Sequence, residues 1–475
     1  MHPRHVDISQ LLGRRQFLAD CGVGLGKIAA ASLLAQQATA SERSTDPKPP
    51  HFAPRAKAVI YLFMGGAPSQ LDLFDPKPAL TKYEGKPLPP SIIGDQRYAF
   101  ILPDAAVLGP RFPFARHGQS GAQLGSPLKH LADVADELCI VRSVHTDQFN
   151  HAPAQLLLNT GFSQPGRPSM GSWATYGLGA ESRDLPAFVA MVTGSGISAG
   201  ASLWSSGFLP KSYDAVRLRN GKDPVLNLTT PARFDAPGMQ RETFELLAAM
   251  DRRRGEALGD PSLGARLQSL EMAAKLQTSA PELLDLQQEG QATLDLYGCE
   301  PNKPSFARAC LIARRLVERG VRYVNIFHEG WDAHSDVKGS TERNCRATDQ
   351  ACAALVRDLR RRGMLDDTLV VWGGEFGRTP MVETNPALGR SQGRDHHPQA
   401  FTMWMAGAGV RAGYTHGATD DFGFHIVQDP VHVHDLQATI LHLLGMDHER
   451  LTFRHAGRDF RLTDVHGEVV RALLE

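Results

Sequence analysis

The chain has 475 residues, of which 42% are hydrophobic, with 51 basic and 51 acidic side chains. Removing residues 1–40 takes away four basic and two acidic ones and leaves 47 against 49, a balance that argues against a general nucleic-acid or anionic-membrane binder. Five cysteines follow residue 40 (Cys139, Cys299, Cys310, Cys345 and Cys352) without a C-x-x-C pair, so buried thiols are expected rather than a zinc ribbon or thioredoxin-type site.

The chain opens with Gly13-Arg14-Arg15-Gln16-Phe17-Leu18, a twin-arginine pair. A mildly apolar run from Val23 to Leu34 and the A-x-A site Ala38-Thr39-Ala40 complete a signal peptide over residues 1–40. The run is too short and too rich in Gly and Ala to span a bilayer, and Lys27 interrupts it. The mature chain is expected in the periplasm or secreted, with no stable membrane span. Export in the folded state suits a protein that takes up a cofactor first.

Residues 41–56 read as a Pro- and charge-rich linker, and residues 57–475 as one large α/β domain. Strands are expected at Ala58–Met64, Leu138–Ser143, Ala187–Val192, Val321–Phe327, Thr368–Trp372 and Phe401–Met405. Several are apolar without alternation, as parallel strands covered on both faces are. Helical patterns run over Ser305–Arg319, Thr341–Arg362 and Leu436–Leu444, and Gly320 and Gly363 stand where C-caps are expected. Strand and helix in alternation predict a doubly wound sheet. Residues 240–297 break the rhythm and predict a helical insertion, while Ser195–Leu209 reads as a mobile loop at the substrate side.

Three motifs put ligand-type side chains beside glycine or proline, where loops leave strands. They are Gly330-Trp331-Asp332-Ala333-His334, Gly373-Gly374-Glu375-Phe376-Gly377-Arg378 and Arg394-Asp395-His396-His397-Pro398. Carboxylates and imidazoles hold a divalent ion only when several converge from different loops, and strand ends supply that convergence. Bland readings stand beside this one: Glu375 with Arg378 as a buried ion pair, and His396-His397 as a turn before Pro398. The late histidines His432, His434, His442, His448, His455 and His466 are expected to be structural, with His434-Asp435 a helix N-cap motif. Gly65-Gly66 fits neither a dinucleotide fingerprint nor a P-loop.

The twin-arginine start, Phe63-Met64-Gly65-Gly66-Ala67-Pro68-Ser69-Gln70-Leu71-Asp72, the two motifs around Asp332 and Glu375, and the ending from Asp435 through Gly457-Arg458-Asp459 resemble the exported, sulfatase-like domain-of-unknown-function 1501 family. That family is similar to the alkaline phosphatase superfamily of sulfatases, phosphodiesterases and phosphoglycerate mutases. The resemblance covers essentially the whole chain. It implies an αβα sandwich with a mostly parallel sheet, a divalent metal (zinc, manganese, calcium or magnesium), and a small-molecule or glycan ester of phosphate or sulfate as substrate.

Residue by residue, the resemblance places Asp332 and His334 in one metal site and His396 or His397 at the late histidine that completes it. Glu375 matches the aspartate of an Asp-His pair, with Phe376 at the histidine position. The first strand ends in Met64-Gly65-Gly66 where a ligand aspartate is usual, so Ser69, Asp72 or Asp75 would have to compensate. His151 stands where the superfamily nucleophile would be, with Ser143 and Thr146 the nearest upstream hydroxyls. An imidazole there suits a nucleophile, a general base or a metal ligand. The resulting expectation is an ion held by Asp332, His334 and His397, with Glu375 in support, and Asn150 and Arg378 stabilising the anion. The competing expectation is a non-catalytic exported protein that uses the same cleft to bind a glycan or a cell-surface partner.

Overall fold

The computed structural model describes residues 45–94, 101–102, 104–221, 239–258, 272, 275–277, 279–385 and 388–475. The expected signal peptide with its cleavage site, the start of the expected linker and part of the expected helical insertion lie outside these residues.

Among the described residues the strands in chain order are β1 (Ala58–Gly65), β2 (Phe114–His117), β3 (Ala122–Gly125), β4 (Cys139–His145), β5 (Phe188–Thr193), β6 (Val216–Arg219), β7 (Tyr323–Glu329), β8 (Thr368–Gly373), β9 (Gly377–Asn385), β10 (Arg390–His397), β11 (Phe401–Ala406), β12 (Tyr414–His416), β13 (Ala418–Thr419), β14 (Ile426–Gln428), β15 (Val431–His432), β16 (Phe453–His455) and β17 (Arg458–Phe460). Among the described residues the main sheet has nine strands, in the order β12-β4-β11-β8-β1-β7-β5-β6 with β15 also paired to β4. β8, β1, β7, β5 and β6 run parallel. β11 is antiparallel to both β8 and β4, so β4 again points the way β8 does.

β1 shows why this is a sandwich. All eight residues of Ala-Val-Ile-Tyr-Leu-Phe-Met-Gly are buried, and their alternation sends them to two different cores. Ile60, Leu62 and Met64 pack with the helices Phe306–Glu318 and Val337–Arg361. Val59, Tyr61 and Phe63 pack with the helices His151–Thr160, Met170–Leu178 and Val433–Leu443. Each such side chain removed from water contributes about 2 kcal/mol before entropy is charged against it.

The helix boundaries follow local chemistry. Ser305 caps one helix by accepting from Arg308 N–H at 3.0 Å. Gly320 and Gly363 adopt φ of +85° and +67° just beyond the helix ends, the left-handed conformation that costs glycine least. The insertion contains the helices Met239–Leu258 and Gln291–Tyr297. No described helix is long and apolar enough to cross a membrane. From Lys48 to Ala56 the predicted linker lies along the domain, hydrogen-bonded to Leu178, Leu443 and Gly445.

In the mostly parallel sheet β11 runs antiparallel, and the hairpin β9–β10 leaves the sheet directly after β8. The hairpin carries polar residues (Arg390 to His397) that give no alternating apolar signal.

Candidate metal centre at the carboxyl edge of the sheet

The carboxyl ends of β1, β4, β5, β7 and β8 share one edge, and β11 starts there. After β7 the chain turns against the end of β1, with Gly330 and Trp331 N–H donating to the Gly65 carbonyl at 3.3 and 3.1 Å. The approach is so close that a Cβ at Gly66 (φ +99°) would lie 2.4 Å from Asp332 N, so this position requires glycine. Asp332 is thereby set over the sheet edge. The β9–β10 hairpin is clamped to the same loop, because Arg394 N–H donates to the Ala333 carbonyl at 3.1 Å. That brings in His396, opposite Arg378 in the hairpin register. His151 is the first residue of the helix that follows β4.

Four side chains meet at one atom. His151 Nε2, His334 Nε2 and His396 Nε2 lie 3.2, 3.1 and 3.5 Å from Asp332 Oδ1, and Arg378 donates to the same oxygen at 2.6 Å. One ligand atom from each of His151, Asp332, His334 and His396 falls within 4.8 Å of all the others. The far nitrogen of every ring is committed. His151 Nδ1 pairs with Glu375 Oε1 at 2.6 Å, His334 Nδ1 with Glu383 Oε2 at 2.5 Å, and His396 Nδ1 with the Phe149 carbonyl at 2.8 Å. Each acceptor is an oxygen that takes a proton, so each Nδ1 is the donor and each Nε2 faces the common point. Outer oxygens that fix the tautomer in this way are the arrangement found around metal-bound histidines. His151 Nε2 is buried, and beside Asp332 Oδ1 at 3.2 Å it makes no well-aligned hydrogen bond, which suits a nitrogen that faces an ion.

Arg378 is fully buried and donates also to the carbonyls of Ala67, Arg394 and Gly66, so its guanidinium is fixed before it touches Asp332. Burial opposes ionisation of Asp332, but the three histidines and Arg378 outweigh it and hold its carboxyl far below the usual range. Burial likewise disfavours charged His151, yet Asp332 and Glu375 raise it to about 9. His334 is raised against its burial by Asp332 and Glu383. Burial brings His396 down to about 4, with Asp332 opposing and Arg378 reinforcing.

Of the residues expected from sequence, His151, Asp332, His334 and His396 come together, and Arg378 joins them. Glu375 lies one layer out, its Oε1 taken by His151 Nδ1, Gly66 N–H and Gln155 Nε2. His397, expected as a ligand, points across the hairpin strand from His396 and pairs through Nε2 with the Phe424 carbonyl at 2.7 Å. Adjacent residues of a strand face opposite sides, so only one of the two can reach the cluster. Asp72 forms a buried ion pair with Arg394 at 2.9 Å and accepts from Ser69 Oγ at 2.5 Å. Asp75 accepts from Thr419 Oγ1 and pairs with Lys77. Asn150 is exposed as the N-cap of its helix and makes no side-chain cap bond. Ser143 Oγ donates to the Asp429 carbonyl.

Sequence reasoning did not pick out Glu383, Gln155 or Glu329, and named Asp395 only as part of the Arg394–Pro398 motif. Asp395 forms a second close group with His334 and Glu383. Burial raises Glu329, at the end of β7, to about 7, with Glu375 adding to the shift. Its place immediately before the Gly330-Trp331-Asp332 motif was the one signal available.

Fold and site together define an αβα sandwich with a histidine–carboxylate cluster at the carboxyl edge of its sheet. The family described as "Protein of unknown function (DUF1501)" matches residues 56–474, and the chain belongs to that family. No curated protein matches it. Among solved structures, the lipoteichoic acid synthase LtaP from Listeria monocytogenes is similar at 10% identity and a TM-score of 0.36, covering 90% of this chain and 80% of that one. The PsFucS1 sulfatase from Pseudoalteromonas sp. gives 12%, 0.36, 87% and 72%. The phosphonate monoester hydrolase SpPMH from Silicibacter pomeroyi gives 12%, 0.36, 88% and 76%. Likeness at this level says nothing of activity.

Proposed function

We propose that this chain is an exported, metal-dependent hydrolase of phosphate or sulfate esters, with a small molecule or a glycan as the alcohol part. The observation that carries the metal reading is the convergence of three Nε2 atoms on Asp332, each ring held from behind by an oxygen. The ester class rests on the motif resemblance, and export rests on the twin-arginine start.

His151, Asp332, His334 and His396 would hold the ion, a donor set of imidazoles and one carboxylate that suits zinc or manganese. When bound, it supplies Lewis-acid polarisation of an ester oxygen. Arg378 keeps Asp332 ionised and in place, while Glu375 and Glu383 fix the rings of His151 and His334. Glu329, held near neutrality by burial, is the carboxyl of this neighbourhood suited to exchanging a proton with substrate.

A specific observation favours a second reading, a binding protein without turnover. Arg378 already occupies Asp332 Oδ1 at 2.6 Å, and the hydroxyls of Ser69 and Ser143 are engaged elsewhere. Elemental analysis of the protein exported by its own signal separates the two, with Asp332→Ala and His396→Ala as controls. Stoichiometric zinc or manganese lost in both variants, followed by release of phosphate or sulfate from model esters, supports the hydrolase. A wild type without metal supports the binding protein.

A further inference from the structure

Gln155 is wholly buried one turn into the helix His151–Thr160, on the same face as His151 four residues earlier. Both ends of its amide are used. Nε2 donates to Glu375 Oε1 at 3.0 Å, and Oε1 accepts from Ala199 N–H at 3.0 Å. A carboxylate only accepts and a backbone N–H only donates, so these partners dictate which way the amide faces. Glu375 Oε1 is the same atom that receives His151 Nδ1–H at 2.6 Å.

Ala199 belongs to the segment between β5 and the 3-10 turn Gly200–Trp204. That segment lies on the end of β1, where a Cβ added to Gly65 would come within 2.5 Å of Ile197 Cδ1. Gly194, Gly196 and Gly200 all adopt positive φ, and the last two face open space. A continuous line of hydrogen bonds therefore joins Ala199, Gln155, Glu375 and His151.

We propose that Gln155 is a positioning residue that couples segment 194–204 to His151, so that the ordered segment and an ion at the cluster stabilise one another. Coupling of this kind acts equally in both directions. The proposal rests on the metal reading above and adds to it the group that holds the carboxylate behind His151. Removing the Gln155 amide leaves Glu375 one donor short and frees the His151 ring to tilt. Removing the Ala199 N–H cuts the same line from the segment side.

The test uses the full chain stripped of metal, with Zn2+ alone as the titrant and Co2+ as a spectroscopic probe. Gln155→Met keeps the length of the side chain without its amide. Ala199→Pro deletes one N–H at a residue whose φ of −84° a proline tolerates. In the wild type, Zn2+ should slow amide hydrogen exchange across residues 195–204. In both variants Zn2+ should still bind, about tenfold more weakly, the slowing should vanish, and the Co2+ visible bands should shift. Wild-type affinity with unchanged slowing overturns the coupling. Should Gln155→Met not fold, Ala199→Pro decides alone. A wild type that binds no Zn2+ overturns the metal reading and the coupling with it, whereas Zn2+ bound without any effect on the segment overturns only the coupling.

Discussion

Two histidine-rich regions border the same end of β4 and use imidazole in opposite ways. In the first, His151, His334 and His396 aim Nε2 at Asp332 and are held from behind by Glu375, Glu383 and a carbonyl. In the second, His145, His432, His434 and His466 pack ring against ring, with centroids 5.0, 4.8 and 5.0 Å apart along the row. There His434 Nε2 turns to the Gly161 carbonyl, and His432 Nδ1 accepts from His434 N–H to cap the helix Val433–Leu443. The nitrogens do not converge. Density of histidine thus says little about metal binding; His432 in the packed row also meets a carboxylate, Asp147, and what separates the candidate site is the convergence of three Nε2 atoms on one shared carboxylate.

The largest effect expected from this contrast is complete loss of bound metal in Asp332→Ala with the fold retained, while His432→Ala keeps wild-type metal content by elemental analysis. Equal metal in all three proteins would erase the distinction. Next comes Glu383→Gln, which keeps the size of the side chain behind His334 but weakens its hold on the ring. It should reduce Zn2+ affinity about 10–100-fold by calorimetric titration, and an unchanged affinity would mean that the outer carboxylate does not orient the ring.

Stability against pH should carry opposite signs in the two regions of the metal-free protein. His151 is raised to about 9, so its contribution is fully present below about 6.5 and is lost as pH rises through 9. Burial lowers His434, with the Gly161 carbonyl opposing, so stability falls as pH drops below about 6.5 and the unfolded chain takes the proton first. Thermal melts across pH should show a flattened alkaline limb in His151→Gln, of the order of 2 kcal/mol, and a flattened acid limb in His434→Gln. The smallest effect is on the cap: His432→Ala should cost about 1 kcal/mol in denaturant unfolding, since it removes one side of the capping box with Asp435.

The doubly wound sheet was legible because its strands are short apolar runs between turn residues, and the αβα sandwich was what the family resemblance implied. The expected runs Ala58–Met64, Thr368–Trp372 and Phe401–Met405 differ from β1, β8 and β11 by one residue at one end. The antiparallel sense of β11 was not legible, since a fully buried strand reads the same in either direction. In the candidate site, Asp332 and His334 announce themselves by following a strand next to glycine. The motif made both His396 and His397 eligible and the expectation took His397, whereas the pleat of β10 turns His396 to Asp332 and His397 to the Phe424 carbonyl. Glu383 and Gln155 carried no signal, because a single polar residue inside a hairpin or on a helix gains meaning only from what stands opposite it.

By itself the sequence determined the layers, the helix ends at Gly320 and Gly363, and the loops from which ligand-type side chains emerge, because these depend on local periodicity and backbone preference. Only the tertiary structure decided that His151, 181 residues before Asp332, shares one point with it, and that Glu375 stands behind a ring rather than at the centre. The physical reason is that coordination is a matter of a few ångströms between atoms brought together by strand order and hairpin register, and neither quantity is encoded in any one segment of the chain.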